Sequence, residues 1–150
     1  MTMVARSIAS PTQVALAVLY RDNRYLMQLR DDIPGILYPG YWGLFGGHLE
    51  PGESPNSGIK RELLEEIGYC PPQLEKFGCD TDEGIIRHIY HGQLTVGLEE
   101  LVLQEGMDMG LLSPEQVRDG RALSLKIDEV RPLGPPHQRI VLGIINAHFG

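Results

Sequence analysis

A chain of 150 residues, 42% apolar and 22% charged, has the composition of a soluble globular protein and too little length for two domains of usual size. Its formal charge of -7 argues against a broad basic surface for a nucleic-acid polymer, so a phosphate ligand would need local help from metal ions or single arginines. The longest clear apolar run, Val14 to Tyr20, is too short to cross a bilayer, and the opening "MTMVARSIASPT" lacks a continuous apolar signal-peptide core, so no membrane partner and a cytoplasmic location are expected.

Residues 1–11 read as an N-terminal tail and 12–150 as a single domain. Residues 13–20, "QVALAVLY", read as a strand, "RDNR" as a turn, and "YLMQLR", 25–30, as the hairpin partner. "DDIPGILYPGYWG" is a loop punctuated by Pro34, Gly35, Pro39 and Gly40, and "LFGGHLE" is a short strand broken by glycines. Ser54 is placed to cap a helix with Pro55 at its first position, and the helix runs to Ile67 with Gly68 as terminator. Residues 73–79 and "GIIRHIYHGQL" read as strands, while "LEELVLQEG" shows no clear pattern. "MGLL" is a short strand, Ser113-Pro114 opens a short helix, and residues 137–149 form a last one. On that last helix Ile140, Val141, Ile144, Ile145 and Phe149 recur at helical spacing, which predicts docking on the core. The order of strands, helix, strands, helices predicts a mixed α/β domain. Cys70 and Cys79 form no CxxC pair and read as small core residues.

The helix over 55–67 carries a concentration of charge. At about 100° per residue, Glu62, Glu65 and Glu66 share one arc, while Ile59, Leu63 and Ile67 centre on another about 100° away. Like charges at this spacing repel by about 0.2–0.5 kcal/mol per pair, and only Arg61 to Glu65 offers an opposite-charge pair at helical spacing. Gly58, near the carboxylate arc, costs about 1 kcal/mol relative to alanine, and close approach by another backbone segment would explain it. Glu53 lies before the helix and approaches through the loop. A solvated acidic face is one reading. The other is a divalent-cation site, because Mg²⁺ takes hard oxygen ligands and is commonly completed by substrate phosphates.

Gly47, Glu53 and Arg61-Glu62-Leu63-Leu64-Glu65-Glu66-Ile67-Gly68-Tyr69 fill every fixed position of the motif that defines the Nudix box, and the chain resembles the Nudix hydrolase family, MutT-like in type. The resemblance implies an α/β/α fold, a mixed β-sheet sandwiched between α-helices. It also implies a hydrolase, using Mg²⁺ or alternatively Mn²⁺, that cleaves a pyrophosphate bond in a nucleoside diphosphate linked to another group. By the same resemblance Glu62, Glu65, Glu66 and the Gly46 carbonyl are expected to hold metal, with Glu62 favoured as general base. Arg61 is expected to orient Glu53, Glu105 to add a further ligand or base from its loop, and Arg30 to bind phosphate. Tyr41, with Tyr38 and Trp42, is available to stack on a base, packing being the expected role of Trp42. No chemistry is assigned to His48, His88 or His91. Oxidised nucleoside triphosphates, nucleotide sugars, ADP-ribose and dinucleoside polyphosphates stand as alternative substrates, a non-catalytic nucleotide sensor is the rival class, and the family's habits suggest a homodimer. The sequence departs from the usual pattern at Phe45, where proline is common, and at Ser57 and Gly58. Phe45 is expected to affect loop shape and hence what the pocket accepts.

Overall fold

A computed structural model describes residues 11–149, apart from the side chain of Phe149, so the tail expected over 1–11 lies almost wholly outside the described residues. Strand β1 (Thr12–Arg21) turns through Asp22 and Asn23 into β2 (Arg24–Leu29). Both turn residues have positive φ, 51° and 58°, the conformation that matches hairpin twist and that Asp and Asn tolerate. β3 (Trp42–Gly43) and β4 (Phe45–His48) follow the long loop, and then comes α1 (Pro55–Ile67). The Ser54 side chain accepts the Ser57 N–H, and Gly68 ends the helix in the left-handed conformation.

The chain continues as β5 (Glu75–Asp82), β6 (Ile85–Gln93), a 3-10 turn over Leu98–Glu100 and β7 (Asp108–Leu112). It ends with α2 (Pro114–Asp119), β8 (Arg121–Ser124), β9 (Glu129–Pro132) and α3 (Pro135–Phe149). Ser113 and Gln116 form a reciprocal capping box on α2. Helix α3 begins two residues before the expected 137, because proline fits the first helical turn. The β8–β9 ribbon is not expected from the sequence. Its strands have four residues each, and large apolar side chains point outward at Leu123 and Val130, so burial does not mark it.

β1 organises the seven-stranded sheet. It pairs parallel with β6 from Thr12↔Ile85 to Tyr20↔Gln93, and antiparallel with β4 from Val14↔His48 to Ala17↔Phe45. Its pairing with β2 is confined to the hairpin end, at Tyr20↔Tyr25 and Arg21↔Arg24, and β2 then pairs with β3 and β7. Between the diverging strands a cleft is left.

Alternation along β1 divides the core in two. Leu16 and Val18 join the side chains of α3, including Ile140, Val141, Ile144 and Ile145. Ala15, Ala17 and Leu19 join Ile59, Leu63 and Ile67 of α1. The expected α/β/α sandwich is therefore the observed architecture. Phe45, where proline is more usual, is buried in the α1 layer and anchors β4. Of the two cysteines expected in the core, Cys70 is partly buried and packs against the α1 layer, while Cys79 is exposed because β5 lies at the sheet edge.

Candidate active site

The carboxylate arc of α1 lies against β4, and glycines make the contact close. A Cβ on Gly47 would stand 2.8 Å from Glu62 Oε1, so a side chain there would displace the carboxylate. At Gly46 (φ 139°) a Cβ would run into the Ala15 backbone, with Leu16 Cα at 2.8 Å. Close backbone approach, expected at Gly58, is thus found at Gly46. Gly58 instead accommodates side chains: Leu49, and the Glu53 carboxylate, whose Oε1 lies 3.1 Å from where a Cβ would stand.

Arg61 gathers the acidic groups. Its Nε and Nη2 donate to Glu53 Oε2 and Oε1 at 2.7 and 2.9 Å, a two-pronged contact of the expected kind. Nη1 reaches Glu62 Oε1 at 3.2 Å and Glu65 Oε2 at 3.2 Å. Glu53 also accepts the Glu50 N–H at 2.9 Å. The Arg61 guanidinium, then that amide, pull the Glu53 carboxyl down to about 2, and Glu53 in turn raises Arg61 further.

Glu66 behaves in the opposite way. Its Oε1 accepts the Gly46 N–H at 3.1 Å, and it hydrogen-bonds to Glu62. Burial first, then the Glu62 carboxyl, push it up to about 8, with the Gly46 N–H acting against them. Two carboxyls in contact share a proton when no cation is present. Glu65 points away to Arg61 with its side chain 58% exposed. Consequently no three His, Cys, Asp or Glu side chains among the described residues are drawn together tightly enough to hold an ion. The donor chemistry still suits a hard divalent cation: adjoining carboxylates, excess negative charge, and Gly46 beside them. Gly46 touches Glu66 through its N–H.

Glu66 and Gly46 form one wall of a cavity of about 340 Å³, which opens in the cleft between the two parts of the sheet. Arg30 and Glu105 also line it, as does His48, to which the sequence assigns no role. Tyr41 does not. Tyr38 occupies that wall, its ring centroid 5.7 Å from that of Tyr41, and the loop turns at Tyr38 with φ 51°. Trp42 is 2% exposed and donates its Nε1–H to the Ala122 carbonyl at 3.1 Å, a packing role as expected.

Gln28 and His137 are among the lining residues that the sequence does not single out. Gln28 is 9% exposed, an unusual burial for an amide on a strand, and alternation with Leu26 could have placed it inward. His137 stands in the first turn of α3, where its Nδ1 accepts the Leu44 N–H at 3.0 Å. Burial, then Arg30 and Arg87, push this imidazole down to about 3, so it is neutral at physiological pH. Nothing local in "LGPPHQR" signals that contact, which joins residues 93 positions apart.

Comparison with known proteins settles the family. Residues 10–133 match the NUDIX domain. The chain belongs to the Nudix family. A 55-residue stretch of the chain is 36% identical to the nucleoside triphosphatase NudI of Escherichia coli O1:K1 / APEC, and to that of Escherichia fergusonii. The stretch covers 37% of the chain and 38% of those relatives. The MutT protein of Methanosarcina mazei Go1 superposes with a TM-score of 0.73 at 18% identity, over 95% of this chain and 99% of that one. The NUDIX domain of Shewanella oneidensis NrtR, solved with ADP ribose, gives 0.71 at 19% identity, over 95% and 91%. At such identities these structures show a shared fold.

Proposed function

We propose that this Nudix domain is a divalent-metal-dependent hydrolase that cleaves a pyrophosphate bond in a nucleoside diphosphate derivative, nucleoside triphosphates included. The observation that carries the reading is the Glu66 carboxyl in the wall of a cavity of about 340 Å³ that Glu105 and Arg30 also line, with Glu62 in contact with Glu66. The size of the cavity falls within the range of small-molecule sites. The likeness of a 55-residue stretch to a nucleoside triphosphatase supports the choice of substrate class.

Glu62, Glu66, Glu105 and the Gly46 carbonyl would hold Mg²⁺ or Mn²⁺, with Glu65 joining once released from Arg61. When bound, the metal supplies charge that stabilises the phosphoryl oxygens and lowers the pKa of an attacking water. The protein's own part is to position. Arg61 fixes Glu53 by two hydrogen bonds and steadies Glu62, the favoured general base, through Oε1. Arg30, its Nε held by the Leu37 carbonyl at 2.8 Å, keeps its Nη groups for a phosphate or neighbouring oxygen. Phosphoryl transfer needs little more than such placement and charge.

The test is a chromatographic screen for the nucleotide products of nucleoside triphosphates, nucleotide sugars, ADP-ribose and dinucleoside polyphosphates incubated with Mg²⁺, run beside Glu66→Gln. Turnover that Glu66→Gln abolishes is expected. Turnover indifferent to that change would overturn the site, and none with any compound would favour a nucleotide sensor.

A further inference from the structure

The cavity holds a donor that the hydrolytic scheme leaves unused. A backbone amide can only donate, so the Leu44 N–H fixes His137 Nδ1 as an acceptor and places the ring hydrogen on Nε2. Nε2 has no hydrogen-bond partner among the described residues, and the imidazole lines the cavity. The same strand segment serves both poles. Leu44 N–H goes to His137 and Gly46 N–H to Glu66, two residues apart, which is roughly 7 Å of extended chain.

The surroundings of His137 are partly flat and apolar. Tyr38 stands edge-on to it at 6.4 Å between centroids, and Leu16, Leu37 and Leu44 line the same cavity. Arg30 lies beside it: a Cβ on Gly43 would stand 3.4 Å from Arg30 Cδ and 3.5 Å from His137 Cε1. This wall therefore offers N–H groups from both residues. The buried Gln28 amide, also without a partner among the described residues, can donate or accept and does not discriminate.

Building on the hydrolase reading, we propose that His137 is the specificity-determining donor of the site, reading a carbonyl oxygen on the substrate's heterocycle. The cavity then takes keto-bearing nucleobases in preference to amino-bearing ones. The phosphates belong at the carboxylate pole, and the heterocycle lies in the apolar part. An exocyclic amine at Nε2–H would set donor against donor and leave both buried and unpaired, a loss on the order of 1–3 kcal/mol, or about 5- to 150-fold in affinity.

Inosine and adenosine 5′-monophosphates test this, since they differ only in a keto against an amino group at one ring position and the adjoining ring proton. Titration calorimetry with Mg²⁺ present, neither monophosphate having a pyrophosphate bond to cleave, is expected to show the inosine nucleotide bound at least about tenfold more tightly. In His137→Gln, whose amide can turn its oxygen to an amine, the preference should shrink to about twofold. His137→Phe should weaken the inosine nucleotide to the level of the adenosine one, thermal denaturation confirming that each variant is folded. Equal binding by the wild type, or a preference that survives in His137→Gln, would overturn the assignment while leaving the hydrolase reading intact. Binding of neither nucleotide would overturn it too, and no turnover in the screen besides would overturn both readings.

Discussion

Two clusters of charge flank the cavity and are built on opposite plans. Arg87 and Arg139 face Asp80 and Asp82: two cations, two carboxylates, with distances such as Arg139 Nη2 to Asp80 Oδ2 at 2.8 Å. Both carboxyls are pulled below their usual range by the arginines. That cluster is complete. At α1, Arg61 alone contacts Glu50, Glu53, Glu62 and Glu65, and Glu66 adds a further carboxyl raised rather than lowered. The balanced cluster ties β5 and β6 to α3, while the unbalanced one keeps negative charge in surplus. A surplus of this kind is satisfied by a proton or by a cation from outside, so charge count distinguishes a brace from a binding site.

Removing the unbalanced cluster's central carboxylate should have the largest effect. Glu66→Gln is expected to lower the rate of pyrophosphate-bond cleavage at saturating Mg²⁺ by about a hundredfold or more, with little loss of thermal stability. Arg87→Met should do the reverse. Its side chain is 8% exposed, and its loss strands partly buried carboxylates, so the melting temperature should fall by roughly 5 °C or more while affinity for Mg²⁺ is kept. Equal effects of both substitutions on Mg²⁺ affinity would break the distinction.

Intermediate changes sharpen it. Gly47→Ala places a methyl against Glu62 Oε1 and should reduce turnover about tenfold at nearly unchanged stability. The sign of the pH dependence differs between two glutamates that sit close together in the chain. Glu66 is raised from 4.5 to about 8, so the metal-free folded state holds more protons than the unfolded one between those values. Its stabilising contribution is full below pH 4.5 and is lost as pH rises toward 8. Glu53, lowered to about 2, contributes above pH 4.5 and loses its contribution as pH falls toward 2. Melting curves without metal should therefore show a decline between about pH 5 and 8 that Glu66→Gln removes and added Mg²⁺ offsets. The smallest effect belongs to Ser54→Ala, where loss of the cap should cost about 1 kcal/mol, roughly 2–4 °C.

Local rules carry much of this structure. The bounds of α1 follow from Ser54, Pro55 and Gly68, and its two faces follow from helical spacing alone. The contact of Arg61 with Glu65 is likewise local. What distance in sequence conceals is the rest of the pocket. His137 meets Leu44 through a contact that no window of neighbouring residues contains, and the choice of Tyr38 over Tyr41 depends on how one loop turns. The β8–β9 ribbon is illegible in the sequence because its outward apolar residues break the pattern that burial would impose.

The narrow pairing of β1 with β2 has a mechanical consequence. Two half-sheets, one of β1, β4, β5 and β6 and the other of β2, β3 and β7, are joined at the hairpin turn and again through Leu44, which links β3 to β4, and they part between these joints. Gln28 and Arg30 stand on one side of the gap, Gly46 and Arg87 on the other. An occupant that grips both sides becomes a structural member, closing a gap that hydrogen bonds leave open, and its free energy of binding adds to that of the fold.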